Sequence, residues 1–239
     1  MEWSQDLREK VDGVLRQEGA AAWGVAGLEG LVPAKLGDFP RAVSLALAMD
    51  PKVMTSIRQG PNQTYTDLYE ATNQRLNRIC ARLQQLLAGA GRQAWAVPAS
   101  VRSDPVNIRG DFPHKTAATR AGLGWVGNNC QLINRRLGPW LRLGTVLTDA
   151  PLAPDRPVEK SYCGTCAECV SACPAGALKG GVWRPGLARE EILDPAACDA
   201  YKKTHFMHFH QGHICGICSS ACPWGQKTLR RVKAQMTPR

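Results

Sequence analysis

Ten cysteines are the residues of this 239-residue chain best suited to chemistry, and eight of them fall between Cys163 and Cys222. Cys163-x-x-Cys166-x-x-Cys169-x-x-x-Cys173-Pro174 is followed by Cys215-x-x-Cys218-x-x-x-Cys222-Pro223, with Cys198 alone between the runs. The first run matches in full the spacing by which bacterial ferredoxins ligate iron–sulfur clusters. Three cysteines in close succession wrap a tight loop around three corners of a cubane. The fourth stands before a proline, opens a helix pointing away and serves the other cluster. On this logic one 4Fe-4S cluster uses Cys163, Cys166, Cys169 and Cys222. The other uses Cys173, Cys198, Cys215 and Cys218. A disulfide framework suits small secreted chains instead. Paired zinc sites would leave the three-residue step to Cys-Pro unexplained in both runs.

A second region carries polar groups beside a glycine-rich loop. Asp111 lies in Gly110-Asp-Phe-Pro113, and His114 and Lys115 open the helix that follows. Asp111 is read either as a helix cap or, with His114, as a proton donor facing a cofactor. Gly122-Leu-Gly124-Trp-Val-Gly127 fits G-x-G-x-x-G. A dinucleotide fingerprint needs a strand before it and a helix after it, whereas here the order is reversed. The loop is therefore read as backbone that approaches a flat ligand or the clusters closely. Cys130, just beyond it, is a buried strand-start residue or a reactive thiol. Cys80 lies in a helical apolar pattern and is a small buried hydrophobe. His205, His208, His210 and His213 form either a further metal site or hydrogen-bond partners of cluster sulfurs.

The elements that must position these groups follow from periodicity. Trp3, Leu7, Val11 and Val14 mark an amphipathic first helix. Ala21–Leu28, Arg41–Met49, Ala94–Pro98, Cys130–Asn134 and Leu143–Leu147 read as strands. Thr64–Ala88 is a long helix closed by Gly89, and His114–Ala121 a short one stopped by Gly122. Asp149–Pro157 is a proline-punctuated connector. The expected division is an α/β domain at 1–155 and a double-cluster module at 156–239 with a basic tail.

Four stretches together resemble the epoxyqueuosine reductase family. They are His114–Gly127, Leu137–Leu152, the run Cys163–Pro174, and Cys218-Ser-Ser-Ala-Cys-Pro-Trp224. Reductive dehalogenases are similar in both halves. The resemblance implies an α+β fold, in which a nitroreductase-like cobalamin-binding domain precedes a double-cluster ferredoxin-like module. It implies that electrons pass through two 4Fe-4S clusters to a cobalamin, with reductive deoxygenation of a nucleoside in tRNA. Asp111 or His114 then supplies the proton. Gly122, Gly124, Trp125, Gly127, Asn128, Asn129 and Cys130 then border the corrinoid. The tRNA-modifying members continue with a helical-repeat domain, and this sequence, with 17 residues after Cys222, reads as a short form without it.

The formal net charge is +10, which favours an anionic partner such as tRNA. Eight metal-bound thiolates and two oxidised cubane cores bring the holo-protein nearer to about +6. The stretch Pro223–Arg239 adds Lys227, Arg230, Arg231, Lys233 and Arg239 without an acid. An electron donor of ferredoxin or flavodoxin type is expected. No apolar run approaches the roughly 18–20 residues of a membrane span, and no secretory signal is seen, so a cytoplasmic monomer is expected. Two alternatives use the same features: reduction of a small organic molecule, and non-catalytic electron transfer.

Overall fold

The computed structural model describes residues 4–236. The chain forms two compact units and passes between them several times. One comprises residues up to Ala48, Ala71–Leu123 and Arg142–Val158; the other comprises Met49–Glu70, Gly124–Leu141 and residues from Glu159 on.

The first unit is built on a four-stranded sheet. Its strands are β1 (Ala22–Gly27), β2 (Arg41–Ala48), β3 (Ala94–Val97) and β6 (Leu141–Thr148), in the order β1-β2-β6-β3. The pairs β1/β2 and β3/β6 are antiparallel. Burial along β2 is continuous from Arg41 to Leu47, so both faces of that strand are covered. Helix α1 (Gln5–Gln17) starts where the Ser4 hydroxyl accepts from the Leu7 amide at 3.3 Å. It buries Leu7, Val11 and Leu15 against Val43 and Leu45 of β2 and Leu76, Ile79 and Leu83 of the long helix α3 (Gln63–Gly89). Cys80 joins this core at 2% exposure, and burial pushes its thiol up to about 12. It is the inert hydrophobe its helical spacing suggested. Helix α4 (His114–Arg120) packs on β1 and β2.

The second unit gathers α2 (Pro51–Ser56), the start of α3, the hairpin of β4 (Trp125–Val126) and β5 (Leu132–Ile133), α5 (Glu168–Ser171), α6 (Pro195–His205), α7 (Ile217–Ser220) and α8 (Pro223–Met236). Aspartates cap two of its helices: Asp50 accepts from the Lys52 amide at 2.7 Å, and Asp194 from the Ala197 amide at 3.0 Å. Met49, Met54, Ile57, Tyr65, Tyr69, Trp140 and Ile214 form its core. The fully buried Trp140 donates its indole N–H to the Ser219 carbonyl at 2.9 Å.

The sequence-based readings differ from this in three places. A single division at 155/156 does not describe the packing. Residues 49–70 and 124–141 bury their aromatics and methionines with Phe209 and Ile214 of the cysteine-bearing part. The strand expected over Cys130–Asn134 shortens to Leu132–Ile133, because Cys130 takes a left-handed turn conformation at φ 58°. The basic stretch after Cys222 is helical through Met236. Trp3 and Arg239 lie outside the described residues.

Two glycines test this packing in opposite directions. Gly138 has φ +59°, and a Cβ there would stand 2.4 Å from the Gly225 amide nitrogen. Gly13 is exposed in mid-α1 with nothing within 4 Å. Gly138→Ala should lower stability by about 1–3 kcal/mol. Gly13→Ala should raise it by about 0.5–1 kcal/mol. Thermal denaturation of the two variants checks both.

Candidate metal centre

The cysteine ladder is held by short turns. The Cys166 amide donates to the Cys163 carbonyl at 3.2 Å, and α5 then carries Cys169. Gly216, left-handed at φ 88°, turns the chain into α7, which carries Cys218. The Cys222 amide donates to the Ser219 carbonyl at 3.3 Å, and Pro223 opens α8. Cys198 comes from α6.

These turns sort the eight thiols into two sets. Cys163, Cys166, Cys169 and Cys222 line one cavity of about 230 Å³. Burial pushes Cys169 up to about 11, and Cys222, Cys163 and Cys166 add to the shift. Burial likewise raises Cys222 to about 11, opposed by the Trp224 and Gly225 amides. Burial raises Cys215 as well, with Cys198 and Cys173 as its charged neighbours. Burial pushes Cys218 far up, and it feels Cys215, Cys198, Cys169 and Cys173. Cys218 therefore lies where the two sets meet.

The hairpin of β4 and β5 forms a wall of the first cavity. The indole N–H of Trp125 donates to the Cys163 sulfur at 3.4 Å, and the Asn128 amide donates to the Cys166 carbonyl at 3.0 Å. Asn129 accepts from the Gln131 amide at 3.1 Å, which fixes its side-chain orientation. Its Nδ2 donor is then buried without a partner, as is Oδ1 of Asn128. Both residues line the cavity. Buried polar atoms are nearly always hydrogen-bonded, so an unspent donor among four thiols fits a group bearing sulfide. Among the described residues no three His, Cys, Asp or Glu side chains converge closely enough for one metal ion. The four thiols instead line a shared volume of about 230 Å³.

Gly124 lets the hairpin close: a Cβ there would stand 2.1 Å from the Ile133 carbonyl oxygen. Of the seven loop residues expected to border a corrinoid, Gly122 ends α4 in the first unit. The other six lie in the second unit, where Trp125 is 1% exposed and Cys130 2%. Two lining residues carried no role in the sequence reading, Ile133 and Trp224. An aromatic directly after Cys-Pro was the available signal for Trp224.

Asp111 and His114 meet at a separate cavity of about 160 Å³ in the first unit. Lys35 donates to Asp111 at 3.1 Å, and this bond, aided by Ser103, holds the carboxyl below its usual range. Burial lowers His114 to about 4. Its Nδ1 lies 2.9 Å from the Thr145 hydroxyl and its Nε2 3.4 Å from the Pro98 carbonyl. At neutral pH the cavity thus pairs a carboxylate with a neutral imidazole. The four later histidines do not converge. His205 stacks on Tyr201, His208 lies against Phe209, and His210 bonds Glu70 at 2.7 Å. The rings of His210 and His213 are 6.1 Å apart.

Residues 162–225 match the family model of the 4Fe-4S double cluster binding domain. Epoxyqueuosine reductase of Synechocystis sp. is 37% identical over 129 residues, covering 49% of this chain and 41% of that protein. That of Bacillus anthracis is 40% identical over 124 residues, covering 48% and 30%. The chain is a homologue of epoxyqueuosine reductases. The matched region spans less than half the length of those two epoxyqueuosine reductases. Among solved structures, the catabolic reductive dehalogenase NpRdhA bound to 3-bromo-4-hydroxybenzoic acid superposes with TM-score 0.70 at 21% identity, over 91% of this chain and 31% of that one. An epoxyqueuosine reductase with an epoxyqueuosine-modified tRNA stem loop gives 0.61 at 18%, over 93% and 66%. At these identities the likeness establishes the α+β fold. No helix among the described residues is long and apolar enough to cross a membrane.

Two measurements probe these sites. Trp125→Phe removes a donor to the Cys163 sulfur, and such bonds to ligand sulfurs favour the reduced, more negative cluster. The variant should show a lowered reduction potential for one cluster and an unchanged one for the other in an EPR-monitored titration. His114 has a folded value of about 4 against 6.5 unperturbed. The fold therefore holds fewer protons between those values, and its stability from this group is complete above pH 6.5 and lost as pH falls toward 4. Replacing His114 by Gln should flatten that part of the stability profile, and an NMR titration should place the ring's midpoint well below 6.5.

Proposed function

We propose that the chain is an iron–sulfur oxidoreductase of the epoxyqueuosine reductase type, whose two 4Fe-4S clusters pass single electrons to a reducible substrate. One cluster is held by Cys163, Cys166, Cys169 and Cys222, the other by Cys173, Cys198, Cys215 and Cys218. The observation that carries this reading is the cavity of about 230 Å³ lined by four thiols and an unspent amide donor, within a matched double-cluster domain. Cys218 feels thiols of both sets, which supports a relay between neighbouring clusters.

The fuller reading, deoxygenation of a tRNA nucleoside with cobalamin, draws on the named relatives. One solved neighbour is a reductive dehalogenase whose structure suggests a mechanism for B12-dependent dehalogenation, and another binds a tRNA stem loop. The side chains expected at a corrinoid do not fit it here. Trp125 and Cys130 are almost wholly enclosed, while Asn128 and Asn129 line the thiol cavity. We route no step through that cofactor.

The cavity of Asp111 and His114 supports the second reading, reduction of a small organic molecule. Its roughly 160 Å³ matches the size of an engineered cavity of about 150 Å³ that admits benzene. At neutral pH Asp111 there is an anion paired with Lys35, a pair that can orient a polar substrate.

Anaerobic purification followed by metal analysis tests the reading. Two 4Fe-4S clusters should give about eight irons per chain, and replacing Cys166 by Ser should cost one cluster while the other keeps its EPR signal. Zinc in place of iron would sink the proposal. Cobalt at one per chain would restore the corrinoid.

A further inference from the structure

An aromatic triad leads from the first thiol set to the surface. Trp125, bonded to the Cys163 sulfur, meets Tyr162 edge-on at 5.1 Å and Trp224 edge-on at 5.0 Å. Tyr162 is 39% exposed. Cations cover the outer rings: Arg135 lies 4.4 Å from the Tyr162 centroid, Lys160 5.3 Å from the same ring, and Lys227 4.4 Å from Trp224. Arg231 donates to the carbonyls of Arg135 and Arg136 at 3.2 and 3.4 Å, adding a fourth positive charge and holding the loop in place. Arg135, Lys160, Lys227 and Arg231 are all exposed. Among the described residues none of the four forms a salt bridge with a carboxylate.

An unpaired basic patch needs an acidic partner, and its place identifies the partner's chemistry. It rings an exposed tyrosine adjacent in sequence to Cys163. Resting on the two-cluster reading, we propose that this face docks an acidic one-electron carrier protein. The carrier loses one electron, and the cluster behind Cys163 gains it, passing from its oxidised to its singly reduced state. No proton or atom moves. Cations pinned over aromatic rings are ordered before the encounter, so little side-chain entropy is lost on docking. The patch steers the acidic face, and its effect shows mainly in the association rate and its dependence on salt. An RNA phosphate backbone would also be attracted, but has no need of the route to a cluster.

The test follows reduction of the intact holo-protein by stopped-flow absorbance, using a reduced low-pI ferredoxin and, separately, photoreduced deazariboflavin as a small neutral donor. In the variant Arg135→Glu/Lys160→Glu/Lys227→Glu, the second-order rate with ferredoxin should fall by about tenfold or more at low salt and lose most of its salt dependence. The rate with deazariboflavin should stay the same, which shows that the clusters are intact. The neutral triple Gln variant should fall between. A wild-type ferredoxin rate in the Glu variant overturns the proposal. So does loss of tRNA stem-loop binding with ferredoxin reduction unaltered, which marks the face as an RNA surface. Failure of deazariboflavin to reduce the wild-type protein refutes the cluster reading instead.

Discussion

The organising constraint is the crowding of eight thiols in one unit of this chain. Burial and mutual repulsion push Cys169 and Cys222 up to about 11, so the free thiols resist the deprotonation that metal ligation demands. A positively charged metal core makes thiolates at this density favourable. The surroundings match such a core. The hairpin of β4 and β5 presents an indole donor to one sulfur and an unspent amide donor to the cavity. The hairpin itself closes only because Gly124 lacks a side chain where Ile133 passes. The cluster loop is thus specified partly by residues some 40 positions upstream of its own cysteines.

That remote dependence explains what the sequence disclosed. Cysteine spacing acts locally, so the sequence anticipated that Cys222 comes back beside Cys163, Cys166 and Cys169 at one cavity. Helical periodicity likewise disclosed α3, because Leu76, Ile79, Cys80 and Leu83 share one buried stripe. The partition of the chain was not legible. Met49, Tyr65 and Trp140 are ordinary core residues by type, and nothing in their local pattern says that they pack with Ile214 and Phe209 rather than with the sheet. The glycine loop was legible as a close approach but not as an approach to which partner. The charge states of Asp111 and His114 were hidden for the same reason: the first depends on Lys35, far away in sequence, and the second on burial of the imidazole by the folded chain.

The net positive charge of the chain also acquires a location. A composition of +10 favours anionic partners in general, without choosing among them. Part of that excess balances metal-bound thiolates. Another part stands over Tyr162 and Trp224, where Arg135, Lys160 and Lys227 sit on aromatic faces. Cations held there act on the cluster as well as on a partner. Adding an electron makes the cluster more negative, and nearby positive charge stabilises that state. An acidic carrier that covers the patch cancels some of this stabilisation while bound, and departure of the oxidised carrier restores it. On that proposal the potentials of carrier and cluster set the direction, and the electron is held more firmly once the patch is bare. A neutral surface at the same position would offer neither the steering nor the retention.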